Sequence, residues 1–331
     1  MHIPDGYLSP QTCAVLYGAA VPFWAVALRR VKAFLGARTV PVLALFSAFA
    51  FVIMMFNIPL PGGTTGHAVG GTLIAIILGP WAAVLGITVV LAIQALLFGD
   101  GGITALGANV FNMAIALPLT GYLVYRLISG GSPINSPRRL WGAFIGSYLG
   151  IQMGAFLTGF FLGIQPLLFH APDGTPLYAP YSLGQAIPPM MAGHLVIAGP
   201  AEALITMGTL AYLRKSHPSL LELRSAPLRA LNLRWLWAGL AIIAVLTPIG
   251  LLAAGTAWGE WGTDQVRGML GYVPQGMDRL ADVWSAPLPN YSIPWLGDWS
   301  GYVLAAAIGL ALIGLTAWGI SKGLIGKNAP K

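Results

Sequence analysis

The sequence begins MHIPDGYLSP, and a histidine in second position beside a free terminal amine has a definite coordination chemistry. The Met1 amine, the His2 backbone nitrogen and the His2 ring nitrogen close fused five- and six-membered chelate rings in one plane. A fourth nitrogen from elsewhere would complete a tetragonal plane, the geometry associated with Ni(II) or Cu(II). His67, at the end of PLPGGTTGH, can supply that corner. Ten extended residues reach up to about 33 Å, enough for Met1 to fold back from the first helix. Met1 is expected to be retained, because a terminal methionine is normally removed only before small residues. Protons compete for such a site: the amine ordinarily titrates at about 7.7 to 8 and histidine at about 6.5, so affinity should fall in acid.

The elements that must position these residues are membrane helices. Of 331 residues, 56% are hydrophobic and only 8% charged, the mean hydropathy is +0.76, and a soluble domain carries roughly 25% charged residues. The composition predicts a multi-pass, all-α integral protein of the plasma (inner) membrane. The net charge of +7 marks cytoplasmic loops rather than a nucleic-acid surface, because the basic residues lie in clusters between apolar segments. Cys13 is the single cysteine, which excludes an intrachain disulfide and a cysteine metal cluster. The first basic residue, Arg29, follows the first apolar segment, unlike the positive start of a secretory signal.

Apolar segments run at about residues 11 to 28, 40 to 57, 68 to 98, 107 to 128, 140 to 164, 184 to 213, 235 to 254 and 300 to 320, against the roughly 20 residues needed to span a bilayer. All basic residues except Arg267 and Arg279 fall on one side if the long third segment crosses twice. Gly79-Pro80 is the natural break, since proline removes a backbone donor and restricts the residue before it. About nine helices result, with the amino terminus outside and the carboxyl terminus cytoplasmic. The helix before the break, 68 to 78, would be about 16 Å long, against a hydrocarbon core of about 30 Å. It would end inside the membrane and leave His67 on irregular backbone at depth. Such backbone is tolerated only in protein or around a wet cavity, and broken segments point to transporter binding sites. The first seven helices form a core over 1–225. Residues 226–331 form a second module of two helices and an outside loop at about 255–299, which is aromatic and holds Arg267 and Arg279.

Other polar residues stand near or within these segments. Asn109 and Asn112 begin the helix after an outside loop and could either orient ligands or cap and pack helices. Asp5 and Asp100 could draw a cation inward or serve as solvated loop acids. His194 and Glu202 share one predicted helix but stand about 12 Å apart, too far to pair directly. A carboxylate at mid-depth costs about 2.5 to 3.5 kcal/mol on insertion scales, which makes Glu202 either functional or the anchor of an interhelical hydrogen bond. Neither a GxxxxGK[ST] phosphate loop nor an HExxH metalloprotease motif occurs, and GLIGKN lacks the spacing. The chain is read as a non-enzyme that cannot hydrolyse ATP itself. An autonomous cation channel or exchanger would need a continuous polar path or paired carboxylates.

MHIPDGYLSP, GGTTGHAVGGTL and GHLVIAGPAEALIT together resemble the CbiM/NikM substrate-binding components of energy-coupling-factor cobalt and nickel transporters, over roughly residues 1 to 215. The last two helices with AWGEWG resemble the small N component, so the chain is similar to a fused M–N protein. The resemblance implies metal held by the Met1 amine, the His2 backbone and ring nitrogens, and His67. It also implies ATP-driven uptake through a membrane-embedded coupling (T) component and cytoplasmic ATPase components. Cobalt members commonly start MHIMEG, so Pro4-Asp5 favours Ni(II) as the transported ion, with Co(II) for cobalamin synthesis as the alternative. No resident cofactor is implied.

Overall fold

The structure is a computed structural model that describes residues 1–34, 39–60, 63–221 and 232–325. Arg38, Arg224, Arg229, Lys327 and Lys331 of the basic clusters, and the module boundary expected near 225, lie outside these residues. Helix α1 (Pro10–Phe34) is followed by α2 (Val40–Met54), a hairpin of β1 (Ile58–Leu60) and β2 (Thr64–Gly66), and α3 (Gly71–Leu78). Next come α4 (Pro80–Phe98), α5 (Leu106–Ser129), α6 (Pro137–Leu168), α7 (Leu183–Ser216) and α8 (Arg234–Leu252). Two short helices, α9 (Thr263–Leu270) and α10 (Gln275–Leu280), precede the last, α11 (Asp298–Ile325).

Seven of these are long and apolar enough to cross a membrane. The chain is therefore a multi-pass helical membrane protein, and exposed Leu127, Val15 and Trp318 belong on its lipid-facing surface. Two of the nine expected segments fall short of that length. Helix α2 has 15 residues, and α3 has eight, about 12 Å at 1.5 Å per residue.

Start signals explain the boundaries. Pro80 stands in the first turn of α4, where a missing N–H costs nothing, after Gly79 at φ 95°. The Ser136 backbone nitrogen is outside α6, and its hydroxyl accepts from the Arg138 N–H at 3.2 Å. Ser182 and Gln185 form a reciprocal capping box on α7.

The stretch before His67 corrects the sequence reading in two respects. It was expected to be irregular backbone in an all-α chain; instead β1 and β2 pair antiparallel, Ile58 with Gly66 and Leu60 with Thr64. Pairing satisfies the polar backbone of the stretch where water is scarce. In addition, α3 starts at Gly71 rather than 68, because Gly70 takes a left-handed conformation at φ 77°. Residues 67–70 are left as a short irregular bridge between hairpin and helix.

Three helices contain a wider π-helical stretch: Gln94–Phe98 in α4, Val110–Ala116 in α5 and His194–Ala198 in α7. Each carries a buried polar residue, Gln94, Asn112 and His194 respectively. Such bulges often accompany function, because they turn a side chain off the regular helical face.

Residues after α8 are seated on the helices before it. The Tyr302 hydroxyl donates to the Met55 carbonyl at 3.0 Å, the Trp284 indole to Leu96 at 2.9 Å, and the Leu288 N–H to Leu97 at 2.9 Å. These bonds bring the connection between α8 and α11 over the end of the core that holds the amino terminus.

Candidate metal centre

Residues 1–9 turn back into the helical core rather than trailing from α1. Met1, His2 and Ile3 are 3%, 2% and 0% exposed, and Tyr7 and Leu8 are buried with them. Apolar burial supplies the pull, and Asn109 at the head of α5 sets the register. Its carbonyl accepts from the Ile3 N–H at 2.8 Å and its amide donates to the Ile3 carbonyl at 3.1 Å. Gly102 N–H donates to the same carbonyl at 2.9 Å. Asn112 acts one step farther out: its amide donates to the Thr158 hydroxyl at 2.9 Å, which lies 3.5 Å from the Met1 carbonyl.

Two histidines meet at this end. The His2 and His67 rings have centroids 5.2 Å apart and planes inclined by 35°. With metal–nitrogen bonds of about 2 Å, two imidazoles on one ion have centroids about 4.4 Å apart at adjacent corners of a square and about 6.3 Å apart at opposite ones. The chelate puts His67 at the corner adjacent to the His2 ring, so closing from the observed 5.2 Å to that arrangement needs a shift of about 0.8 Å. His67 Nδ1 is 3.0 Å from the Ala68 carbonyl. A carbonyl can only accept, so Nδ1 carries the proton and Nε2 keeps a lone pair for a metal.

His2 is different. Nδ1 stands 3.0 Å from Asp100 Oδ1, yet neither buried ring nitrogen has a hydrogen bond of acceptable geometry. Burial lowers the His2 pKa from 6.5 to about 4, with the terminal ammonium adding to the shift. Burial and the same ammonium, then His2 itself, lower His67 to about 3. Both rings are therefore neutral at physiological pH, the form that binds metal.

Gly101 lets the backbone pass close over this pair. It has φ +84°, and a Cβ there would stand 2.9 Å from the Asn109 amide nitrogen and 3.3 Å from the His2 ring.

Glu202 holds the other side. It is fully buried in α7, and its carboxylate accepts from Val69 N–H at 2.7 Å and from Gly70 N–H at 3.0 and 3.1 Å. Those are the unpaired donors next to the head of α3, immediately after His67. Glu202 thus fixes the bridge that carries the second histidine. His194 does not join it: Nδ1 contacts the Met190 carbonyl at 2.7 Å, and the His194 carbonyl accepts from Gln152. Asp5 is likewise turned to structural work, accepting from the N–H groups of Ile103 and Thr104 at 3.0 and 2.7 Å and from the Thr104 hydroxyl.

Three residues at this end escaped the sequence reading. Glu260, from the second module, lies 3.1 Å from the Met1 ammonium. Tyr291, from the same module, donates to Asp100 Oδ2 at 2.6 Å. Gln94 donates to the Tyr291 hydroxyl at 3.0 Å and to Asp100 Oδ2 at 3.3 Å. A carboxylate between two tryptophans in AWGEWG was a signal, but nothing local tied it to a residue 259 positions earlier. Tyr7 completes the seam, its hydroxyl donating to the Trp261 carbonyl at 2.8 Å.

The arrangement gathers a terminal amine and two neutral imidazoles in a buried pocket, with carboxylates at its edge. Such a donor set can hold a divalent transition ion; no acyl- or phosphoryl-transfer constellation accompanies it among the described residues.

Residues 2–220 match the family described as the cobalt uptake substrate-specific transmembrane region, and residues 234–326 match the PDGLE domain. The fused nickel transport protein NikMN of Rhodobacter capsulatus is 49% identical, with 98% of each chain covered. The probable fused nickel transport protein LarMN of Lactiplantibacillus plantarum is 45% identical over 92% of this chain and 93% of its own length. A crystal structure described as a truncated transition metal transporter is 55% identical and superposes with a TM-score of 0.62, covering 66% of this chain and all of that one.

Proposed function

The chain belongs to the cobalt uptake substrate-specific transmembrane family, and on that footing we propose that it is the substrate-capturing subunit of an importer for Ni(II). The ion is held in a square plane by the Met1 amine, the His2 backbone and ring nitrogens, and His67 Nε2. The observation that carries this reading is the meeting of the His2 and His67 rings, 5.2 Å apart, beside a buried Met1. Four nitrogens in one plane suit a d⁸ ion that gains from tetragonal coordination, whereas carboxylate-rich sites suit harder cations. The Rhodobacter and Lactiplantibacillus relatives carry nickel in their names, which supports nickel over cobalt.

The amino-terminal end of the bundle faces outward in this reading, with Arg29, Arg30, Arg126, Arg138, Arg139, Arg214 and Lys215 on the cytoplasmic side. The ion enters from outside and is released inward. Energy comes from partners, a membrane-embedded coupling component and cytoplasmic ATPases, because the sequence carries no phosphate-binding loop of its own. Residues 226–331 act as the N-like module, whose connection covers the site.

A titration tests the ligand set. Full-length protein with its native amino end, loaded with Ni(II) against a competing chelator, is expected to bind one ion per chain. His67→Ala removes one of four donors and is expected to weaken binding by well over the roughly 10- to 100-fold typical of outer-sphere changes. Equal affinity in the variant would remove His67 from the site.

A further inference from the structure

The nitrogen plane leaves two carboxylates unaccounted for. One oxygen of Asp100, one of Glu260 and a ring nitrogen of His2 all lie within 4.8 Å of one another. The His2 Nδ1 to Asp100 Oδ1 edge is 3.0 Å, and neighbouring donors on an octahedral ion with bonds of about 2.1 Å stand about 3 Å apart. Acidic groups alone would mean little. The His2 ring adds a separate observation, because it is 2% exposed and neither nitrogen makes a hydrogen bond of acceptable geometry, although Nδ1 stands 3.0 Å from Asp100 Oδ1. A buried imidazole turned toward two carboxylates without a well-formed hydrogen bond to either is a donor placed for an acceptor of electron pairs.

The surroundings give the cluster an approach. Asp100 and Glu260 side chains each keep 19% exposure, unlike His2 at 1%. Glu260 borders a cavity of about 240 Å³ that is also lined by Asp5, Trp261 and Asp282. Asp100 is held at the inner end by the Tyr291 hydroxyl and the Gln94 amide on Oδ2, which leaves Oδ1 toward His2. Glu260 Oε1 is 3.1 Å from the Met1 ammonium. A divalent cation drawn to Glu260 competes directly with that ammonium for the same oxygen.

We propose that His2, Asp100 and Glu260 form a first-contact site for a hydrated divalent cation. One nitrogen and two carboxylate oxygens hold the ion while water fills its remaining positions, ahead of its transfer to the nitrogen plane. The destination of the ion rests on the function proposed above; the first-contact site itself does not. Oxygen donors and water accept most divalent ions, whereas four nitrogens in a plane accept few. Capture and selection are thereby divided between two donor sets that share the His2 ring. Since Glu260 and the Tyr291 brace of Asp100 come from the second module, the first-contact site exists only when that module is seated. Occupying Glu260 also releases the Met1 amine, the group the plane needs next.

Mn(II) is the probe, because it favours oxygen-rich octahedral sites over square planes. Full-length His67→Ala protein with its native amino end, which lacks the fourth corner of the plane, is titrated with Mn(II) while the free-ion EPR signal is followed. One bound Mn(II) per chain is expected, with binding weakened at least roughly tenfold by Glu260→Gln or Asp100→Asn in that background. Asp100→Asn also disturbs the Tyr291 bond; Glu260→Gln touches only the amine and guards against a folding artefact. No Mn(II) binding to His67→Ala, or equal binding after both carboxylate changes, overturns the proposal. If wild-type protein still forms a low-spin Ni(II) complex in that event, the nitrogen plane stands without the first-contact site. If Mn(II) binds as expected but Ni(II) is never low-spin, the first-contact site stands and the plane falls.

Discussion

Replacing Glu202 with glutamine is the substitution that most sharply separates a positioning role from mere membrane packing. The carboxylate accepts three contacts of 2.7 to 3.1 Å from Val69 and Gly70, directly after His67. In Glu202→Gln the amide oxygen can take the Oε2 place and still accept from both N–H groups, but the NH₂ group then replaces Oε1 against the Gly70 N–H, a buried donor facing a donor and left unsatisfied. That costs about 1–3 kcal/mol. If the cost falls on the state in which His67 faces the other nitrogens, apparent affinity drops by the fraction of chains still competent, about 5- to 150-fold. The assay is a chelator-competition titration of Ni(II) on full-length protein in detergent, with thermal stability measured in parallel. The visible spectrum of the loaded variant should match wild type, because no ligand has changed. His194→Ala provides the contrast: the His194 ring contacts the Met190 carbonyl one turn earlier, the bond from Gln152 of α6 goes to its backbone carbonyl and survives the substitution, and affinity should stay within about twofold, less than the effect of one lost hydrogen bond. An affinity for Glu202→Gln equal to that of wild type would refute the idea that Glu202 holds the His67 bridge in place.

Asn109→Ala removes both bonds to Ile3 and should weaken Ni(II) binding by about 10- to 100-fold, measured by the same titration. Gly101→Ala puts a Cβ 2.9 Å from the Asn109 amide at φ +84°. It should cost about 1–3 kcal/mol of backbone strain, read as a lower Tm together with weaker binding. The pH dependence of the metal-free protein follows from the two buried imidazoles, whose pKa values fall from 6.5 to about 4 and about 3. The unfolded chain takes up protons below 6.5 that the folded rings refuse, so stability is full above that pH and is lost as pH falls toward 4 and then 3. Thermal melts from pH 8 to 4 should show the loss, and His67→Ala should reduce its slope.

The sequence and the structure agree on what strong local signals control. The position of the long apolar segments and Gly79-Pro80 as a break act within a few residues. His2 could be assigned a chemistry because its two backbone neighbours are fixed by connectivity. The paired strands Ile58–Leu60 and Thr64–Gly66 were missed, since their Pro- and Gly-rich sequence reads as a loop and only the pairing of their backbone makes them strands. Glu202 was recognised as a costly buried carboxylate, but its partners lie on the bridge more than 130 residues earlier, and no periodicity encodes that. Asp5 was left between drawing a cation inward and serving as a loop acid; its oxygens accept from Ile103 and Thr104 and brace that loop, while the residue also lines the cavity beside Glu260. Glu260 and Tyr291 were invisible because their positions depend on how residues 253–302 seat on the helices before them, and Gln94 because its partner on the far side is Tyr291.

The most direct measurement is the visible spectrum of Ni(II) bound to protein with its native amino end, compared with the same chain carrying a long amino-terminal tag. A single added residue would be a poor control, since it supplies four nitrogens locally and could bind nickel without His67. The native protein is expected to bind tightly with the absorption of a low-spin square-planar centre, and the long tag is expected to abolish both. Equal binding and an unchanged spectrum in the tagged protein would contradict a site built on the Met1 amine.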